Sequence, residues 1–507
     1  MENPMSSLLD TMWQAVSDCM RYLVQSPTFW FWTAIILWLH RYIRLIVHCF
    51  SHWTYKSKPI PEKPSYTAED VTVVIPTIHN CFEELKPSLE SILACKPHEL
   101  ILVTTFDKQD SLEKLVRTLS TRNIRVLCSS IANKRLQVCE ALPQVKTRLI
   151  IMADDDVTWP STLMPWILAP FEDEKIGGVG TCQRVRRERD GSWIQQSWNW
   201  LGAAYIERRN FEISATHKMD GGTSCMSGRT GAYRAEILQS QAFLDGFKNE
   251  RWQKYTLNAD DDNFVTRWLV SHQWKTWIQY EDECEIETTL ETGMKFLYQC
   301  SRWARSNWRS NYTSLFKECY VIWQQPWCTY ALHIATFTSL AFVFDVLIPL
   351  AMWWGSEGWE HDTRVAILVS QLVWMFGFTK WVKLLGLFRR HPKDLVFLPV
   401  SIIFGYYHGL IKLYALFTLN QTSWGSRPDG DLNDALRMSP RPTPNESLIT
   451  PAARADDFEH LYRRVKTPRA MAEKALYAAA YHHDYPPIAA VASFPNGSHF
   501  VQQPSES

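Results

Sequence analysis

Two runs of three aspartates carry the densest chemistry in this 507-residue chain: Asp154, Asp155 and Asp156 in "MADDDVTWP", and Asp260, Asp261 and Asp262 in "LNADDDNFVTRWLV". Adjacent carboxylates repel one another unless a cation neutralises them. The first run follows the apolar strand-like "RLIIMA". In an extended segment Asp154 and Asp156 point the same way, so the pair can hold a hard divalent ion that in turn holds a diphosphate. A solvated turn, or a cap for the helix after Pro160, is the other reading. The second run opens an amphipathic helix, where carboxylates suit capping; the catalytic reading makes one of them a general base on an acceptor hydroxyl.

Two further stretches could complete such a site. In "GGTSCMSGRTGAYR" (221–234) small residues let the backbone approach a bulky ligand, and Arg229 could touch phosphate; a surface loop is the alternative. In "FLYQCSRWARSNWRS", read as a helix, Gln299, Arg302 and Trp303 fall at i, i+3 and i+4 and share a face. An amide, a permanent guanidinium fork and a large ring are tools for a pyrophosphate and a stacked sugar. A juxtamembrane helix with a tryptophan belt would look similar.

The elements that must position these residues alternate. Strand-like "DVTVVIPT", "ELILVTTF", "NIRVLCSS" and "RLIIMADDD" are separated by helical stretches near 82–95, 110–120 and from Lys134, which predicts a mostly parallel sheet with crossover helices. Ligands in such sheets bind at the carboxyl ends of the strands, where the first triplet lies. Apolar runs flank this region. Residues 7–25 read as an interfacial helix. A span starts near Pro27 and is expected to end among His40, Arg41 and Arg44, with the following bases placing that end in the cytosol. Three more runs lie at 327–354, 364–388 and 395–419. Either 364–388 or 395–419 is expected to lie in the interface, and Asp345 sits inside the first run. The domains are therefore 1–58 (interfacial and membrane helix), 65–320 (cytosolic catalytic domain), 327–419 (membrane and interfacial helices) and 428–507 (a largely disordered tail).

Composition narrows the class. With 53 basic and 53 acidic residues the net charge is zero, which gives no basic face for nucleic acid. The 24 Trp, 24 Phe and 19 Tyr suit membrane interfaces and sugar faces. The 12 cysteines show no metal-ligand spacing and read as reduced thiols.

Taken in order, these motifs resemble the membrane-embedded, processive family-2 glycosyltransferases with a GT-A catalytic domain, especially hyaluronan synthases and fungal capsule-type polysaccharide synthases. The likeness covers about residues 65–427. It implies that Thr77 contacts uridine, that Lys134 and Arg135 of "NKRLQ" lie near the nucleotide, and that Asp154 and Asp156 bind Mg²⁺ or Mn²⁺ with the donor diphosphate. Cys225, Ser227 and Gly228, with Arg229, would line the acceptor site. Asp261 would be the base with Asp260 beside it, and Gln299, Arg302 and Trp303 would match QxxRW. Trp424 and Arg427 of "SWGSR" would lie near the nucleotide. An acidic pair usual after the second strand is replaced by Thr104 and Thr105, leaving Asp107 as the substitute.

The implied function is an inverting polymerase at the plasma membrane. Its catalytic domain would face the cytosol, draw on a UDP-sugar and extend a growing polysaccharide exported through the bilayer. A transferase acting once on a lipid acceptor, or a non-catalytic membrane protein with a degenerate transferase domain, are the alternatives.

Overall fold

A computed structural model describes residues 24–422 except 80, 120–122 and 339, together with a few positions between 13 and 22. The expected interfacial helix at 7–25, the tail from 428, and both Trp424 and Arg427 lie largely or wholly outside the described residues.

The central region is built on a seven-stranded sheet. In chain order its strands are β1 (Val71–Pro76), β2 (Glu99–Thr105), β3 (Ile124–Ser129), β4 (Leu149–Ala153), β6 (Ile176–Thr181), β8 (Thr230–Arg234) and β11 (Lys275–Gln279). Their spatial order is β11-β6-β8-β4-β1-β2-β3. Successive residues of β1 serve opposite faces. Val71, Val73 and Ile75 join one core with the helix α2 (Lys86–Ala94), whereas Val74 joins a second core with Ile101, Val103 and the helix α4 (Lys134–Ala141). Burial on both faces explains the unbroken β-branched run. A helix α3 (Gln109–Thr118) crosses from β2 to β3. Short strands β5 (Val157–Thr158), β7 (Gln183–Val185) and β12 (Ile286–Thr288) form a small separate sheet, and β9 (Arg251–Trp252) pairs with β10 (Tyr255–Thr256).

One strand departs from the parallel pattern. β8 runs antiparallel to both neighbours, with Thr230 opposite Ala153. The reversal matters for the site: the start of β8, and with it the loop carrying Cys225 to Arg229, comes to the carboxyl edge where β4 ends. Asp154 N–H donates to the Arg229 carbonyl at 3.1 Å.

The remaining helices surround this edge: α5 (Trp193–Asp220), α6 (Asp261–Ser271) and α7 (Met294–Thr313). α5 is closed by a capping box at Ser192 and Gln195 and ends on Gly221 at φ 74°, a left-handed cap that glycine adopts without strain. It packs against α1 (Pro27–Trp53), and α7 packs against α9 (Leu398–Phe417).

Three helical stretches are long and apolar enough to cross a membrane: Pro27–Trp53, His361–Arg390 and Pro392–Phe417. A further pair, Pro326–Thr338 with α8 (Ala341–Gly355), is bent by 87°. The sequence had assigned the interfacial role to 364–388 or 395–419. Both of those stretches correspond to helices of spanning length, and a bend falls in 326–355. The helix α1 itself runs on past His40, Arg41 and Arg44 to Trp53, and three of its basic residues find partners: Arg41 faces Asp345 at 3.8 Å, Arg44 donates to the Ala331 carbonyl at 2.6 Å, and His48 pairs with Glu212 at 2.6 Å. Gly355 lets α8 approach α1, since a Cβ there would stand 2.4 Å from Phe31 N. The eleven described cysteines are all free thiols.

Candidate active site

Both acidic triplets reach one cavity of about 710 Å³. Lys134, the first residue of α4, stands between them: its ammonium is 2.7 Å from Asp154 Oδ1 and 2.8 Å from Asp261 Oδ2. Asn133 caps α4 by accepting from Leu136 N–H, which fixes where Lys134 projects. Burial alone would lower the Lys134 pKa, but the two carboxylates outweigh it and hold the ammonium charged.

Within the first triplet the backbone separates three roles. Asp154 and Asp156 line the cavity, while Asp155 is buried and accepts from the Thr77 hydroxyl at 2.7 Å. Thr77 thus meets the triplet through Asp155. It also lines a small pocket with Asn133, Lys134 and Asn258.

In the second triplet Asp260 adopts φ 67°, a left-handed residue at the start of α6. That strained turn points its carboxylate at α7. Arg309 Nε lies 2.7 Å from Oδ2, and Ser306 also donates to it. Burial raises the Asp260 pKa, yet Arg309 and Ser306 overcome it, so the group stays ionised. Asp261 is likewise held below the usual carboxylate range: burial pushes it up and Lys134 pulls it further down. Asp262 goes the other way, raised first by burial and then by the charge of Asp261.

The glycine-rich loop and α7 complete the walls. Cys225, Ser227, Gly228 and Arg229 all line the cavity. A Cβ at Gly228 would come within 3.2 Å of the Lys134 ammonium and 3.5 Å of Asp261 Oδ2, so a side chain there would crowd the bridge between the triplets. Arg229 donates to Gln183 Oε1 at 3.1 Å and stands 5.5 Å from the Trp303 ring centroid. Gln299, Arg302 and Trp303 face the cavity together. Among the described residues the buried Gln299 amide oxygen has no hydrogen-bond partner. Burial lowers the Arg302 pKa against the opposing charges of Asp262, Asp261, Asp260 and Asp154, which puts this guanidinium in the field of both triplets.

Two expected residues lie elsewhere. Arg135 is fully buried on the far side of α4. It pairs with Glu250 at 2.7 Å and donates to the carbonyls of Phe247 and Ala259, because the residue after Lys134 on a helix points about 100° away. Asp107 is exposed in the turn after β2 and lines neither the large cavity nor the small pocket at Thr77.

Sequence reading missed α5 altogether. Its Tyr205 stacks on Trp303 at 5.1 Å, and Arg208, Arg209 and Glu212 line the cavity. The available signal was "YIERRNFEI", adjacent charges within an otherwise apolar helix. Arg309 was also missed, although it follows Arg302 by two turns on the same helix.

Among the described residues no three His, Cys, Asp or Glu side chains form a ready metal cage. The donor chemistry of Asp154 and Asp156, carboxylate oxygens at an open wall, fits a hard dication whose other ligands are diphosphate oxygens and water.

A mostly parallel sheet with acidic motifs at its carboxyl edge is thus joined to apolar helices of spanning length. The profile of the glycosyltransferase-like family 2 matches residues 68–306. A type 2 glycosyltransferase of Gibberella zeae is 72% identical over 426 residues, covering 84% of this chain and 81% of that one. One from Zymoseptoria tritici is 46% identical over 434 residues, covering 85% and 91%. Human hyaluronan synthase 3 is a distant relative, 24% identical over 277 residues and covering 54% and 46%. The chain belongs to the type 2 glycosyltransferase family.

Proposed function

We propose that the protein is a processive, inverting polymerase that takes a sugar from a UDP-sugar and extends a polysaccharide led out through its membrane helices. The observation that carries this reading is the continuity of the cavity. One space is lined by both triplets and by Gln299, Arg302 and Trp303, and it runs on to Lys380, Ser401 and Tyr406 of the apolar helices. A transferase that acted once on a soluble acceptor would have no use for that extension.

In this reading Thr77 and the pocket beside it receive the nucleoside, and Asp154 and Asp156 hold Mg²⁺ or Mn²⁺ with the diphosphate. The bound ion supplies charge neutralisation for the leaving diphosphate. Arg302 and Lys134 add fixed positive charge at the same place. Asp261, ionised, takes the proton of the acceptor hydroxyl. The hydroxyl oxygen bonds to the anomeric carbon from the face opposite the diphosphate, and UDP departs with the electron pair. Gln299, whose amide oxygen lacks a partner among the described residues, accepts from a hydroxyl of the acceptor's terminal sugar. Trp303 and Tyr205 form the wall against which that sugar packs.

The test is purification into nanodiscs with a panel of radiolabelled UDP-sugars and Mg²⁺ or Mn²⁺. High-mass polymer that disappears on chelation is the expected result. A product one sugar longer than its acceptor, under every donor, would replace polymerisation with single transfer.

A further inference from the structure

Beyond the catalytic end the cavity's charges do not balance. The apolar helices contribute Leu332, Ala341, Ile402 and Phe404 to its lining, and among them stand Arg41, Lys380 and Lys383. The carboxylates on this side are already engaged. Asp345 binds Lys380 at 2.6 Å and faces Arg41, and Glu212 binds His48 and Lys383. Arg208 and Arg209 of α5 also line the cavity. Among the described residues neither has a carboxylate at ion-pair distance: Arg208 donates to the Ser401 hydroxyl, and Arg209 to the Cys225 carbonyl at 3.1 Å.

A guanidinium that lines a cavity without a carboxylate partner is open to an anionic ligand, and partial desolvation draws the Arg208 pKa down to about 10. Its planar fork matches a phosphate, and Ile402 and Phe404 of the same lining offer apolar contact to a hydrocarbon chain. Tyr205, stacked on Trp303, lies one turn earlier on the same helix, about 5–6 Å away. That separation fits one sugar ring and the phosphate attached to it.

We infer that Arg208, with Arg209 beside it, seats the phosphate of a membrane lipid whose attached sugar is the acceptor that starts a chain. This rests on the transferase reading above and names its first acceptor. The lipid phosphate is unchanged in the reaction. The sugar's hydroxyl oxygen bonds to the donor's anomeric carbon, its proton passes to Asp261, and the bond from that carbon to the diphosphate breaks as the nucleoside diphosphate leaves.

The test is direct binding of farnesyl phosphate to the full chain in phosphatidylcholine nanodiscs, with farnesol, inorganic phosphate and an oligoglucuronate as competitors and UDP binding measured in parallel. Farnesyl phosphate is expected to bind at least tenfold more tightly than farnesol or inorganic phosphate. Arg208→Gln should weaken it at least tenfold while UDP binding stays within twofold, and Arg208→Lys, which keeps the charge, should retain most of it. Equal binding of farnesol or inorganic phosphate, tighter binding of the oligoglucuronate, or undiminished binding by Arg208→Gln each overturns the assignment. Absence of UDP binding with farnesyl phosphate binding intact would instead sink the transferase reading and leave the lipid seat standing.

Discussion

Asp154–Asp155–Asp156 and Asp260–Asp261–Asp262 are identical in composition, and the fold sorts their members by the same scheme. In each, one carboxylate is turned inward as an anchor: Asp155 onto the Thr77 hydroxyl, Asp260 onto Arg309. In each, a second shares the Lys134 ammonium, and the third also lines the cavity. The difference is in depth. The Asp154 side chain keeps about a quarter of its surface (26%), whereas Asp261 keeps 14% behind the same lysine. An open pair of carboxylates suits a hydrated dication and its diphosphate. An enclosed one with a fixed cation suits a proton, since water does not compete for it. Identical residues therefore acquire different chemistry from backbone geometry: a turn after β4, where an extended segment was expected, and a left-handed residue before α6.

The sharpest way to break that division is Asp261→Asn. Polymer synthesis should fall by about 10²–10⁴-fold, the usual worth of a general base, while UDP affinity changes only a few-fold. Equal loss of UDP binding would give both triplets the same job. The anchor of the second triplet comes next. Arg309→Leu strands the buried Asp260 charge and should cost about 3–5 kcal/mol of stability, read as a lowered midpoint in thermal unfolding. Adding Asp260→Asn to that variant should restore part of the loss, because the two residues act as one unit.

How much of this was legible beforehand follows the same line between pattern and geometry. The strands announced themselves through β-branched runs, and the order of motifs along the chain placed the triplets at one edge. Helical spacing put Gln299, Arg302 and Trp303 on one face, and α7 shows them there. What periodicity could not supply was direction within a motif. Lys134 and Arg135 read alike, yet one bridges the triplets and the other is sealed onto Glu250. Only the family resemblance distinguished Asp261 from Asp260 in the sequence, and in the structure a positive φ at Asp260 turns its carboxylate onto Arg309. The contribution of α5 was harder to see: the adjacent charges of "YIERRNFEI" are a local signal, but the cavity they face is assembled from elements spread between Arg41 and His408.

Lys134 sharpens the comparison because it belongs to both triplets. Replacing it with methionine removes the charge that pulls the Asp261 pKa down, leaving burial, which pushes it up. The base must be ionised to work, so the acid limb of the residual kcat/KM profile should move to higher pH. An unmoved limb would mean that the titrating group is not Asp261.

The smallest effect is expected at the other anchor. Thr77→Val keeps the shape of the side chain and deletes the hydroxyl that Asp155 accepts from, so the cost should be about 1–2 kcal/mol, near the worth of one hydrogen bond to a carboxylate. With hydrogen bonds to charged groups worth about 1.5–3 kcal/mol at most, that stays below the loss at Arg309, since no countercharge is removed. Its functional trace should appear in metal dependence. Asp155 fixes the turn from which Asp154 and Asp156 project, so loosening it should raise the Mn²⁺ concentration for half-maximal synthesis a few-fold without changing the pH profile. A shifted pH limb with unchanged metal dependence would reverse the roles assigned to the two triplets.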